Sequence, residues 1–121
     1  MENSDVELKM WLVVRKDLEI PPGKLAAQAG HGFLSAYLEA LTKNIDTNSY
    51  ITHSQPKIVV SCKNELALSR SFAECVDLKL PCCLVIDEGR TVFFEPTKTV
   101  MAVGPCKFDE LPKYVQKLQL Y

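Results

Sequence analysis

The sequence predicts a small α/β domain: a mixed four-stranded sheet flanked by helices on both faces, with elements in the order β-α-β-α-β-β-α. Three observations lead there. Residues 9–15 form a nearly continuous apolar run around Trp11-Leu12-Val13-Val14, as in a strand buried on both faces. Segments with helical starts and helical periodicity separate the first three strand-like runs, which implies parallel crossovers of the right-handed kind. The last two strand-like runs follow each other closely, which allows one antiparallel member.

Residues 1–7 are acidic and polar and read as a flexible N-terminus, leaving residues 8–121 as a single domain long enough to bury one core. After the first strand, Pro22 and Gly23 suit the start of a helix that runs to about residue 43. Its later turns place Leu34, Tyr37, Leu38 and Leu41 at the spacing of an apolar stripe, predicted to face the core. Gly30 and Gly32 each weaken a helix by roughly 1 kcal/mol relative to Ala, and close approach of a backbone or ligand is one explanation. Residues 44–56 are polar, and Asp46-Thr47-Asn48-Ser49 predicts an irregular loop.

A β-branched run at 58–62 gives the second strand. Asn64 is a good N-cap for a second helix ending near residue 79, with Leu66, Phe72, Ala73 and Val76 available for its apolar face. Pro81 opens a third strand at 82–87, and Glu88-Gly89-Arg90 reads as a turn. Residues 92–94 suggest a short extended stretch stopped by Pro96. Residues 99–103 form the fourth strand, ended by Gly104-Pro105. Asp109 caps a last helix, with Pro112 in its first turn and Leu118 near its end.

Composition narrows the function classes. With 47% hydrophobic and 24% charged residues the chain is of the ordinary globular kind. No apolar run reaches the ~20 residues needed to span a bilayer. A net charge of −1 argues against a protein wrapped in nucleic acid, yet permits a local basic patch that engages a few phosphates. The five cysteines, Cys62, Cys75, Cys82, Cys83 and Cys106, are odd in number and include an adjacent pair, which is no disulfide framework. They read as reduced core residues of a cytoplasmic protein. Neither a CxxC pair nor a Cys/His spacing suited to zinc is present, so no metal is expected. GxGxxG, GxxxxGK[ST] and GxSxG are absent too, which leaves nucleotide cofactors and a nucleophile-elbow hydrolase without support.

Chemistry is expected beyond the carboxyl ends of the strands. The first strand leads to Lys24, Gln28 and His31, which share one face of the helix at i, i+4 and i+7. The alternative is a solvated helix face with a histidine at its edge. The third strand leads to Asp87-Glu88-Gly89-Arg90-Thr91. Asp87 there is an acceptor, a base or a partner for a cation, and Arg90 suits a phosphate or carboxylate. The plainer reading is an Asp-x-Gly turn with Asp87 paired to Arg90 or Lys24. Thr97 and Thr99 are hydroxyl donors or simply good strand residues.

Together these stretches resemble the peptidyl-tRNA hydrolases of the second type. The resemblance rests on Leu12-Val13-Val14-Arg15-Lys16-Asp17-Leu18, on Gly23-Lys24-Leu25-Ala26-Ala27-Gln28 with His31, and on Gln55-Pro56-Lys57-Ile58-Val59-Val60. It continues through Leu80-Pro81, Asp87-x-Gly89-Arg90-Thr91, Thr97-x-Thr99-Val100 and Val103-Gly104-Pro105. Each motif is weak alone; their order and spacing over residues 8–121 are specific.

The resemblance implies hydrolysis of the ester joining a peptide to the 3′ end of tRNA, a mixed sheet flanked by helices, homodimers, and no metal or organic cofactor. It places Lys24, Gln28, His31, Asp87, Thr91 and Thr99 at functional positions. Arg90, Lys16, Lys57 and Lys98 are the candidates for substrate phosphates. Three positions depart from the family pattern: Val92 stands where a Gln is usual, Ala29 where a Cys is common, and Gly32-Phe33 replace small residues after the histidine. These touch substrate affinity more than chemistry.

An ester hydrolase needs a water, a proton acceptor and stabilisation of the developing oxyanion. Asp87 is cast as base or water-orienting group, directly or through Thr91. Lys24 supplies positive charge, and Gln28 and Thr99 are orienting donors. His31 relays a proton, contacts the terminal adenosine or is structural. The alternative from another class is a non-catalytic RNA- or protein-binding module on the same fold.

Overall fold

The computed structural model describes residues 7–90 and 93–121. Residues 1–6 of the expected N-terminal segment, the candidate Thr91, and Val92 at the start of the expected 92–94 stretch lie outside the described residues. Four strands, β1 (Lys9–Arg15), β2 (Lys57–Cys62), β3 (Cys82–Asp87) and β4 (Thr97–Cys106), form one sheet in the order β2-β1-β4-β3. β1 and β2 are parallel, while β4 is antiparallel to both β1 and β3. The mixed sheet with one antiparallel member is therefore the expected one. β1 and β3 end at the same edge, because Val14 pairs with Val100 and Asp87 pairs with Thr97 across β4.

β1 is central, with residues 10–15 all buried. Its alternate side chains divide between two cores. Trp11 and Val13 join Leu68, Cys75, Met101 and Val103 beneath α3 (Glu65–Asp77) and the C-terminal segment. Met10, Leu12 and Val14 join Ala36, Tyr50, Val100 and Ala102 beneath α1 (Pro22–Ala40). Cover on both faces is why the run reads as uninterrupted rather than alternating.

α1 buries a different face from the one expected. Leu34, Leu38 and Leu41 are 60%, 53% and 55% exposed, and the buried residues are Gln28, Gly32, Ala36 and Ala40. At about 100° per residue the leucines lie roughly opposite that stripe of small residues. The helix meets the sheet so closely that a Cβ on Gly32 would sit 3.3 Å from both Ala102 Cβ and Val85 Cγ2. Gly30 has open space around its Cα, so close approach explains one glycine and not the other.

Other elements also depart from expectation. The polar segment after α1 contains a short helix, α2 (Thr47–Ile51), because Asp46 caps it by accepting from Ser49 N–H at 3.1 Å. Capping and loop formation use the same residue types. Tyr50 in α2 is buried and donates to the Pro56 carbonyl at 3.2 Å. α3 is capped by Asn64 as expected, yet it buries Ala67, Leu68, Ser71 and Cys75 while Leu66, Ala73 and Val76 are exposed.

β4 does not stop at Gly104-Pro105 but runs through it to Cys106. A register shift between Lys9 and Trp11 lies opposite, and Gly104, at φ 118°, passes the Lys9 carbonyl too closely for a Cβ. The Gly-Pro pair thus marks a bulge, a role it shares with strand endings. Asp109 lies inside a 3-10 turn (Phe108–Glu110), and the last helix, α4 (Lys113–Gln116), is only four residues long with Pro112 at its N-cap. All five cysteines are free thiols. Four are buried, and burial pushes Cys75 up to about 12 and Cys82 up to about 11.

Candidate active site

Burial of α1 on the β3–β4 side of the sheet brings its first turns over the ends of those strands. A cleft of about 450 Å³ opens there, lined by Lys24, Ala27, Gln28 and His31 from α1 and by Val85, Ile86, Asp87, Glu88 and Arg90 from β3 and the turn after it. A larger groove of about 570 Å³ lies between α3 and the C-terminal segment. Size does not decide between them, since the smaller cleft holds the buried ion pair at the strand ends.

That pair is Lys24 and Asp87, with Nζ 2.5 Å from Oδ1 and both side chains largely shielded from water. The other carboxylate oxygen of Asp87 accepts the Gly89 N–H at 2.9 Å. These two contacts, Lys24 first, hold the Asp87 carboxyl below the usual carboxylate range against the opposing effect of burial. Gly89 is required here: its φ is 83°, and a Cβ would sit 2.7–2.8 Å from the backbone of Glu95. The Asp-x-Gly turn therefore does more than reverse the chain. It aims an amide at the carboxylate.

Thr99 is fully buried one layer below the cleft. Its hydroxyl donates to Gln28 Oε1 at 3.0 Å, with the Val85 carbonyl 3.4 Å away. With its carbonyl end so engaged, Gln28 has its amide N–H groups to offer the cleft. Thr99 thus acts on the site through Gln28. His31 is exposed at the rim and has no hydrogen-bond or ion-pair partner among the described residues, which removes the reading of a satisfied structural histidine.

The phosphate candidates separate. Arg90 lies at the cleft mouth, exposed and paired to Glu88 at 3.2 Å. Lys98 lies at the same edge of the sheet but turns to the α3 face, where its Nζ is 3.3 Å from Ser69 Oγ. Lys57 is at the opposite edge, opposite Met10, with its ammonium on the Gln55 carbonyl and near the rings of Phe33 and Tyr50. The structure does not bring Lys57 to the cleft.

One buried charged side chain escaped a role in the sequence reading. Arg15, at the end of β1, forks onto Asp17 at 3.1 and 2.8 Å and donates to the Lys98 carbonyl at 3.0 Å, next to Thr99. Asp17 is held below its ordinary value by that contact. The available signal was an Arg-x-Asp triplet closing an apolar strand. Among the described residues no three His, Cys, Asp or Glu side chains are grouped to hold a metal ion.

The family model described as Peptidyl-tRNA hydrolase PTH2 matches residues 8–121. The chain belongs to that family. A peptidyl-tRNA hydrolase of Methanocaldococcus jannaschii is 33% identical over 114 residues, covering 93% of this chain and 99% of the relative. The human protein named peptidyl-tRNA hydrolase 2, mitochondrial, is 37% identical over 116 residues, covering 95% of this chain and 65% of the relative. Peptidyl-tRNA hydrolase 2 of Saccharomyces cerevisiae is 30% identical, and the chain spans 59% of it. Family membership thus covers every element described above.

Proposed function

We infer that this chain hydrolyses the ester joining a peptide to the 3′ end of tRNA, returning free tRNA and a peptide carboxylate. The observation that carries the inference is the shielded Lys24–Asp87 pair opening on a cleft at the strand ends of a member of this family. In the proposed reaction water attacks the ester carbonyl carbon, the bond to the ribose 3′ oxygen breaks, and that oxygen leaves with a proton.

A carboxylate held below the ordinary range is a weak proton acceptor, so Asp87 is better suited to orienting the water and holding Lys24 than to acting as a strong base. Lys24 faces the developing oxyanion, where a positioned charge in a shielded site acts most strongly. Gln28 supplies an orienting N–H, fixed by Thr99. His31 and Arg90 meet the substrate at the rim.

The reaction is proposed to need no metal. Two copies are proposed to associate, for which the exposed Leu34, Leu38 and Leu41 stripe offers a surface. The compartment is proposed to be the cytoplasm. No helix among the described residues is long and apolar enough to cross a membrane. Release of free tRNA from purified peptidyl-tRNA, with chelator present throughout, tests the reading. Binding without release would make the chain a non-catalytic module, and activity lost on chelation and restored by a metal ion would overturn the proposed mechanism.

A further inference from the structure

The edge of the sheet that holds the cleft also carries cations in the order of the strands. Lys63 follows the end of β2, Lys16 follows the end of β1, and Lys98 is the second residue of β4. Arg90 and Lys24 flank the end of β3. A hydrogen bond from Lys16 N–H to the Cys62 carbonyl, 2.9 Å, ties the first two positions together. Lys16 and Lys63 are exposed, and neither they nor Lys98 has a carboxylate within ion-pair distance among the described residues. The acids nearby are already engaged: Asp17 and Glu65 face Arg15, and Glu88 faces Arg90.

With strands about 4.8 Å apart, the row from β2 to β3 spans roughly 15 Å, a length that a few nucleotides of backbone cross. We propose that Lys63 and Lys16, with Lys98 on the α3 side of the same edge, form a phosphate track that carries the substrate's nucleic-acid backbone along this edge toward the cleft. This rests on the reading of the chain as a tRNA ester hydrolase and adds the direction from which the tRNA arrives. The other approaches are poorly matched to a polyanion. The outer face of α1 presents leucines, and in the groove between α3 and the C-terminal segment four acids, Glu74, Asp77, Asp109 and Glu110, outnumber two cations, Arg70, which is paired to Glu74, and Lys113. A row of local contacts also fits a chain of net charge −1, because the cations need only be concentrated along one edge.

The test is the salt dependence of peptidyl-tRNA binding and the KM against kcat split for the Lys16→Ala/Lys63→Ala double variant. A Lys9→Ala/Lys107→Ala variant at the opposite edge of the sheet is the control. The track predicts that the slope of log affinity against log salt becomes shallower by about 0.7–0.9 for each lysine removed, with KM raised and kcat retained. The control variant should keep the wild-type slope. An unchanged slope in Lys16→Ala/Lys63→Ala, or an equal change in the control, overturns the track while leaving the hydrolase reading intact. Wild-type protein that binds peptidyl-tRNA without cleaving it overturns the reading on which the track rests.

Discussion

Two ion pairs close the same edge of the sheet, and their surroundings set them apart. On the α1 face, Lys24 meets Asp87 beside an open cleft, and each Asp87 oxygen has one protein donor assigned, Lys24 or Gly89. On the α3 face, Arg15 is committed to Asp17, to the Lys98 carbonyl and to Glu65 at 3.6 Å. The first pair lines a cleft in which a substrate fits, and its Asp87 carboxylate keeps lone pairs beyond the contacts to Lys24 and Gly89. The second uses its directional donors to fasten the end of β1 to the start of β4. A shielded salt bridge is therefore not evidence of a site by itself. What marks the candidate site is an ion pair whose carboxylate keeps acceptor capacity beside a cavity.

The largest effect is expected from Asp87→Asn, which keeps size and removes charge. Single-turnover cleavage should slow by about 10²–10⁴-fold with tRNA binding little changed, because the loss both disorders the attacking water and releases Lys24 from its position. Near-wild-type chemistry would erase the distinction between the two pairs. Lys24→Ala should lower rate by about 10²–10³-fold and weaken binding too, because one ammonium serves ground state and transition state.

The same variant sharpens the electrostatic argument. Asp87 lies below its ordinary value of 3.8 in the folded protein, chiefly through Lys24. Its ionised form therefore stabilises the fold above that value, and the contribution is lost as pH falls through the lowered one. In Lys24→Ala the acid limb of the kcat profile should move upward. An unmoved limb would mean that Lys24 does not set the Asp87 charge.

Arg15→Met should act in the opposite sense, on stability before chemistry. It leaves the Lys98 carbonyl and Asp17 without their donor, a loss of roughly 1–3 kcal/mol, toward the low end because Asp17 keeps contact with water. Denaturant unfolding measures it. A large rate loss with unchanged stability would place Arg15 in the chemistry.

The smallest effect separates the two glycines of α1. Gly30→Ala should stabilise by up to ~1 kcal/mol, since nothing lies within 4 Å of the new methyl. Gly32→Ala should fail to gain that, because its methyl presses on Ala102 and Val85. Paired thermal melts compare them, and equal gains would show the helix free to move off the sheet.

Much of this was legible in the residues. The continuous run at Trp11–Val14 announced a central strand, and Lys24, Gln28 and Asp87 do converge. Side-chain volume on α1 was misread, because periodicity ranks leucine above glycine and alanine. The sheet approaches too closely for leucine, and only the packed structure shows that. Lys57 looked like its fellow lysines until β2 placed it at the far edge. Thr99 could be named from sequence, but its action through Gln28 depends on a contact between residues 71 positions apart.

Whether Lys24 and Asp87 work as one unit is read from a double-mutant cycle on the single-turnover cleavage rate. Lys24→Ala, Asp87→Asn and the double variant would be compared with wild type under saturating enzyme. The double variant should be about as slow as the slower single variant. Losses that multiply, with each residue contributing in full whether or not the other is present, would contradict it.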